Sequence, residues 1–145
     1  ELGTREDPYC EIAYAIRAPV SNASDPSMVF VESGEYDETV RLDASSGASS
    51  WKIVAERGAV LDTRRRAGSA ILVAAGRTLE LGGLVVQSAA SHGVEIVDAE
   101  ARIVDFESAN NSGVGIFVSG RSVLEIDRAI VRGNRRGGLR VDAMR

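Results

Sequence analysis

Residues 113–141 read GVGIFVSGRSVLEIDRAIVRGNRRGGLRV. Ile116-Phe117-Val118 opens the stretch, and Leu139-Arg140-Val141 restates it one period later. Three short aliphatic or β-branched runs lie within that period. Gly, Ser, Asp and Asn, the residues that make turns, separate them. One period holding three strand-like runs reads as one coil of a parallel β-solenoid.

Extending the period towards the N-terminus gives a countable series. The first run recurs as Ile71-Leu72-Val73, Val94-Glu95-Ile96, Ile116-Phe117-Val118 and Leu139-Arg140-Val141, at offsets of 23, 22 and 23. A second run recurs as Leu79-Glu80-Leu81, Ala101-Arg102-Ile103 and Leu124-Glu125-Ile126. A third recurs as Leu84-Val85-Val86, Phe106-Glu107-Ser108 and Ala129-Ile130-Val131. Side chains alternate across a strand, so the flanking members of each triplet point inward and stack from coil to coil. The middle members point outward. On the second run they form the column Glu80, Arg102, Glu125, in which opposite charges sit one coil apart and set register and solubility. Counting one longer period at a time through the turn after the third run gives Ser88, Asn111 and Asn134, a polar column expected to bond turn backbone.

Composition agrees with thin stacked layers. The chain of 145 residues is 44% hydrophobic but only 5% aromatic, and it uses 15 Gly against 3 Pro. Small and β-branched residues therefore supply the core. A net charge of −4 lacks the basic footprint of a nucleic-acid binder. No run approaches the roughly 20 apolar residues of a membrane span.

Towards the N-terminus the period changes. In residues 8–18 (PYCEIAYAIRA), Tyr9, Ile12, Ala13 and Ile16 make one apolar helical face. Asp7 is placed as N-cap, Pro8 as first helical residue, and Pro19 as the stop. A solenoid end needs covering, so this helix is expected to cap the first coil. Cys10 is expected to be a buried helix thiol. Residues 28–66 form irregular first coils, with strands at 28–31, 40–42, 51–54 and 59–62 and a turn over 32–36. Residues 69–141 form the regular coils, and 1–145 constitute a single domain. The fold class is all-β, a parallel β-helix with 22–23-residue coils and a short N-terminal capping α-helix.

The segment GEYDETVRL (34–42), followed by coils ending NNSGVGIFV and NRRGGLRV, resembles the single-stranded right-handed parallel β-helix of the pectin lyase-like superfamily. It looks most like the right-handed β-helix repeat proteins. The resemblance implies an exported bacterial protein, extracellular, cell-surface or periplasmic, with polysaccharide as the expected partner. Activity does not follow, because one fold serves many functions.

The chemistry those relatives use is incomplete here. Hydrolysis of a polyuronide needs clustered carboxylates and a Gly-His-Gly motif; this chain has Ser91-His92-Gly93, with its sole histidine, and no Asp-Asp pair. Eliminating lyases need a calcium ion held by several carboxylates and a base. Asp98, Glu100, Asp105 and Glu107 are the acidic residues near Arg102, but they spread around the coil. The Asp-Phe of Val104-Asp105-Phe106-Glu107 is the whole overlap with the esterase motif. No catalytic residue, metal ligand or cofactor is therefore assigned, with calcium at the acidic set as the one exception to test. The most ligand-like surface is the outward column of the first strand, Leu72, Glu95, Phe117 and Arg140. There a sugar could stack on Phe117 and bond Glu95 and Arg140; alternatively Arg140 covers Phe117 as a cation–π pair. Arg64-Arg65-Arg66 is a basic loop, and Asn22-Ala23-Ser24 and Asn110-Asn111-Ser112 match the glycosylation pattern.

The expected function is a non-catalytic scaffold or carbohydrate-facing segment. The alternatives are the N-terminal part of a polysaccharide lyase or glycoside hydrolase, and a self-assembly module. The last expectation rests on the final coil, where one strand is followed by no closing segment. The chain is therefore expected to be part of a longer solenoid whose further coils cover this end, or else to bury it against a second copy as a homo-oligomer through the open C-terminal coil.

Overall fold

The structure is a computed structural model and describes residues 9–17, 26–46 and 48–143. It is an all-β parallel solenoid with one short helix, α1 (Ile12–Arg17). The strands are β1 (Ser27–Val31), β2 (Gly34–Tyr36), β3 (Val40–Leu42), β4 (Ser50–Ala55), β5 (Ala59–Asp62), β6 (Ile71–Ala74) and β7 (Thr78–Gly82). They continue as β8 (Val85–Gln87), β9 (Val94–Val97), β10 (Glu100–Ala109), β11 (Ile116–Gly120), β12 (Val123–Arg132) and β13 (Leu139–Ala143).

Every pairing is parallel, and each coil contributes to three faces. The first face stacks β1, β4, β7 and the N-terminal halves of β10 and β12. The second stacks β2, β5, β8 and the C-terminal halves of β10 and β12. The third stacks β3, β6, β9, β11 and β13. In the later coils the first and second faces join into one continuous sheet, because β10 and β12 run through the corner between them.

The sequence periods and the pairing register agree. Ile71 aligns with Val94, Val94 with Ile116, and Ile116 with Leu139. Leu79, Ala101 and Leu124 align on the first face. Val86, Ser108 and Val131 align on the second. Ile71, Val94, Ile116, Leu79 and Ile103 are fully buried inside the coils. The outward column also forms, with Lys52 joining it: Glu80 lies 3.6 Å from Lys52 and from Arg102, which reaches Glu125 at 3.4 Å.

The three corners are made by stacked residues in the left-handed region. One column is Ala75, Asp98 and Gly120, the next Gly83, Asp105 and Arg128, and the third Ser88, Asn110 and Gly133. Their φ values lie between 49° and 81°. Gly, Asn and Asp tolerate this conformation, whereas Ala75 and Arg128 are held there by the pairing on either side.

Three expectations for the N-terminal region change. The helix begins at Ile12 and not at residue 8; residues 9–11 are described and not helical, while Asp7, Pro8, Ala18 and Pro19 lie outside the described residues. Its free N–H groups are taken from across the fold by Glu38, whose carboxylate accepts from Ile12 at 2.7 Å and Ala13 at 2.8 Å. Ile12 and Ile16 are buried in the core, and α1 rests on β1 and β3. Cys10 precedes the helix and is exposed, not a buried helix thiol. Gly34–Tyr36 is a strand, not a turn, because it pairs in register with Ala59–Leu61 of the next coil. Its Gly-Glu-Tyr composition carries no apolar alternation to announce that.

Candidate functional site

Between the second and third faces each coil makes a turn. Because the strands on both sides are in register, the turns of successive coils also stack. Ala90-Ser91-His92, Ser112-Gly113 and Arg135-Arg136 line a shared groove of about 460 Å³. Gly113 N–H donates to Ser91 O at 2.7 Å and Arg136 N–H to Gly113 O at 3.0 Å, so Ser91, Gly113 and Arg136 form one column.

Side-chain amides adjoining the groove tie these turns together. Asn111 Oδ1 accepts from Ala89 N–H at 2.9 Å, and Asn111 Nδ2 donates to Ser108 Oγ at 3.0 Å and Asn134 Oδ1 at 2.8 Å. Asn134 Oδ1 also accepts from Asn111 N–H, and Asn134 Nδ2 donates to Ser108 O. The amides thus satisfy backbone groups that the turn leaves unpaired. Ser88 lies one position away from this column. It aligns with Asn110 at the corner, and Ala89 occupies the place below Asn111.

His92 forms one wall. Its Nδ1 accepts from Val114 N–H at 3.0 Å, which assigns the ring proton to Nε2. The ring stacks on Phe117 with centroids 4.6 Å apart and planes 13° from parallel. The Arg140 guanidinium carbon lies 5.8 Å from the Phe117 centroid. Aromatic stacking and cation–π attraction both favour this arrangement.

Glu95, Phe117 and Arg140 do share one outward column. Their polar ends are engaged, however. Glu95 Oε2 accepts from Ser69 Oγ at 2.6 Å. Arg140 Nε donates to Asp142 Oδ1 at 3.1 Å, and the second guanidinium nitrogen lies 3.0 Å from Oδ2. Phe117 is half-buried against His92. By contrast, Arg135 and Arg136 are exposed and lie within 4.0 Å of no carboxylate among the described residues.

The four acidic residues considered for calcium are kept apart. Asp98 Oδ1 caps a corner by accepting from Arg121 N–H at 2.8 Å. Asp105 pairs with Arg128 at the next corner, and the guanidinium holds its carboxyl below the ordinary range. Glu107 pairs with Arg132 at 2.7 Å. Glu100 is exposed at the start of β10. Among the described residues no three His, Cys, Asp or Glu are grouped as a metal site. In the basic loop, Arg64 binds the buried Asp62 and Arg66 binds Asp37. Asn110 is exposed at a corner, and residues 22–24 lie outside the described residues.

The groove therefore offers two arginines, two serine hydroxyls, an imidazole and turn backbone. Such a set suits a polyhydroxyl ligand bearing a negative charge, with guanidinium groups bonding the anion. Sequence reasoning had not assembled it. The signal was available: extending the coil period into the turns puts Arg136 over Gly113 and Ser91. Among the described residues no helix is long and apolar enough to cross a membrane. No family model matches the chain, and no curated protein or solved structure matches it.

Proposed function

We propose that this chain is a non-catalytic binding scaffold of the pectin lyase-like type, belonging to an exported bacterial β-helix protein. Its ligand is a carbohydrate carrying an acidic group. The observation that carries this reading is the pairing of Arg135 and Arg136, without carboxylate partners among the described residues, with Ser91, His92 and Ser112 in one groove. The coil stack fixes the turn backbone that carries these side chains, with the Arg135 N–H on Asn111 O and the Arg136 N–H on Gly113 O. Phe117 and Arg140 flank the groove through His92 and extend the contact surface along the third face.

The test is a glycan-binding screen with acidic and neutral oligosaccharides. Acidic ligands should bind, more weakly as salt rises, and Arg135→Ala/Arg136→Ala should reduce affinity at least tenfold. Phe117→Ala and Arg140→Ala should weaken binding less. Binding that is unaffected by the double substitution, or absent for every acidic glycan, overturns the reading. Shortened or unsaturated products in the same reactions would favour the polysaccharide lyase or hydrolase alternative.

A further inference from the structure

His92 sits in a turn, yet its backbone, one ring nitrogen and one ring face are each held by a neighbouring coil. Its place in the turn is taken by Ser69 one coil earlier and by Val114 one coil later, because Ile71, Val94 and Ile116 are in register. Each of the first two supplies an acceptor to the next. Ser69 Oγ accepts from His92 N–H at 3.3 Å, and His92 Nδ1 accepts from Val114 N–H at 3.0 Å. The Ser69 hydroxyl in turn donates to Glu95 Oε2 at 2.6 Å, which leaves its lone pairs for the His92 N–H. The ring lies flat on Phe117, with centroids 4.6 Å apart and planes 13° from parallel.

These contacts leave one polar atom of the side chain unused. Nδ1 accepts and so carries no proton, which puts the ring N–H at Nε2. Nε2 makes no hydrogen bond among the described residues, and the buried side-chain polar atoms without a partner there are Ser27 Oγ and Thr63 Oγ1. Nε2 is therefore open, on a side chain that lines the groove with Ser91, Ser112, Arg135 and Arg136.

We propose that His92 is the specificity-determining donor of the groove, presenting Nε2–H in one fixed direction to an oxygen of the bound acidic sugar. This deepens the carbohydrate reading and rests on it for the identity of the ligand. The serine hydroxyls of the groove rotate and can donate or accept, and exposed arginine side chains swing to meet any anion. An imidazole pinned at Nδ1 and stacked on one face donates along a single line. It separates ligands with an oxygen at that point from ligands without one, since a donor left unpaired on binding costs affinity. Ser69 and Glu95 are positioning residues in this scheme. Ser69 holds the His92 backbone and Glu95 holds the Ser69 hydroxyl, so Glu95 acts through its neighbours and not as a ligand contact.

The chain has a single histidine, so a long-range proton–nitrogen NMR spectrum of imidazole reports His92 alone. In mildly alkaline solution it should show the Nε2-protonated tautomer; the other tautomer, or an even mixture, overturns the proposal. Three probes are then titrated separately: oligogalacturonate and a heparin oligosaccharide as acidic sugars, and inorganic sulfate as a bare anion. At least one of the sugars should shift the Nε2 resonance. His92→Asn puts a carboxamide oxygen where Nδ1 meets the Val114 N–H and leaves nothing in place of Nε2–H. It should fold as wild type does by circular dichroism and bind that sugar at least tenfold more weakly. Ser69→Ala should weaken binding in the wild-type background and add nothing in His92→Asn, because its effect passes through the imidazole; additive losses overturn the positioning role. A sugar that binds with Nε2 unmoved, or binds His92→Asn as tightly as wild type, overturns the proposal and leaves the carbohydrate reading standing. A shift with sulfate alone keeps the donor and overturns the carbohydrate reading. Silence from all three probes overturns both.

Discussion

The Glu38 carboxylate accepts the Ile12 N–H at 2.7 Å, closing the start of the helix from a distant point in the chain. A negative group at a helix N-terminus is favourable, and here it also ties the capping helix to the first coil. Glu38 is 8% exposed, and burial pushes its carboxyl above the ordinary range despite the two N–H donors that oppose this. Folding thus favours the protonated acid. That contribution is fully present below roughly pH 4.3, the unfolded value, and is lost as pH rises through the folded one. Glu38→Gln removes the titration, so wild type should lose stability relative to this variant from pH 4 to pH 7. Glu38→Ala leaves two N–H groups unsatisfied and should cost about 1–3 kcal/mol. Thermal unfolding across that pH range reads both.

Asp62 should give the opposite slope. It is 2% exposed, and the Arg64 guanidinium holds its carboxyl well below the usual range; Gln87 Nε2 and the Arg64 N–H add to this, while burial opposes it. A depressed folded value means stability that is present above roughly pH 3.9 and lost as pH falls towards the folded value. Asp62→Asn should therefore lose most relative to wild type at neutral pH and converge with it in acid. Arg64→Ala should cost less than Asp62→Ala, because Gln87 at 2.9 Å and the residue 64 N–H at 3.1 Å still serve the carboxylate. Unfolding from pH 2 to 7 distinguishes the two.

The inward columns were legible because two periods reinforce each other, alternation within a strand and the repeat from coil to coil. Ile71, Val94, Ile116 and Leu139 satisfy both. Ser88 shows where counting slips. The step from β8 to β10 is shorter by one than the step from β10 to β12. Applying the longer step back from Asn111 therefore passes Ala89 and lands on the corner residue. Ala75 and Arg128 could not be read as corners, since neither residue type favours positive φ. The groove was hidden because a turn has no periodicity of its own. Its residues meet only through the register of the strands around them. Glu38 was equally hidden, because a cap supplied from far along the chain leaves no local motif.

The Asn111–Asn134 pair should be the most sensitive polar feature of the turns. Asn111 is 1% exposed and makes bonds in both directions along the column. Asn111→Ala orphans the Ala89 N–H, while Asn134 Oδ1 keeps the residue 111 N–H, and should destabilise by about 1–3 kcal/mol. Asn111→Asp keeps the acceptor but turns a donor into an oxygen beside Asn134 Oδ1, and should be at least as costly. Asn134→Ala removes the less buried member and should cost less. Denaturant titrations of the three variants check this order, with m-values showing whether the unfolding unit stays whole.

Gly93 and Gly115 precede the third-face strands for a steric reason that ties the turn to this pair. A Cβ on Gly93 would lie 2.1 Å from Ser108 Oγ, 2.6 Å from Gly115 O and 2.8 Å from Asn111 Nδ2. Backbone cannot retreat without breaking the pairing of β9 with β11, and the serine and asparagine cannot retreat without giving up their hydrogen bonds. Gly93→Ala should therefore destabilise by several kcal/mol, on the order of an overpacked core combined with a lost buried hydrogen bond. Gly93→Ala/Ser108→Ala relieves only the hydroxyl clash and should recover part of that loss, leaving the contact with Gly115 O. Gly76→Ala, where no atom lies within 4 Å of the new Cβ, should cost only the backbone strain of its φ of 72°, about 1 kcal/mol. If Gly93→Ala proves as mild as Gly76→Ala in denaturant unfolding, the close stacking of the turns is not what excludes a side chain there.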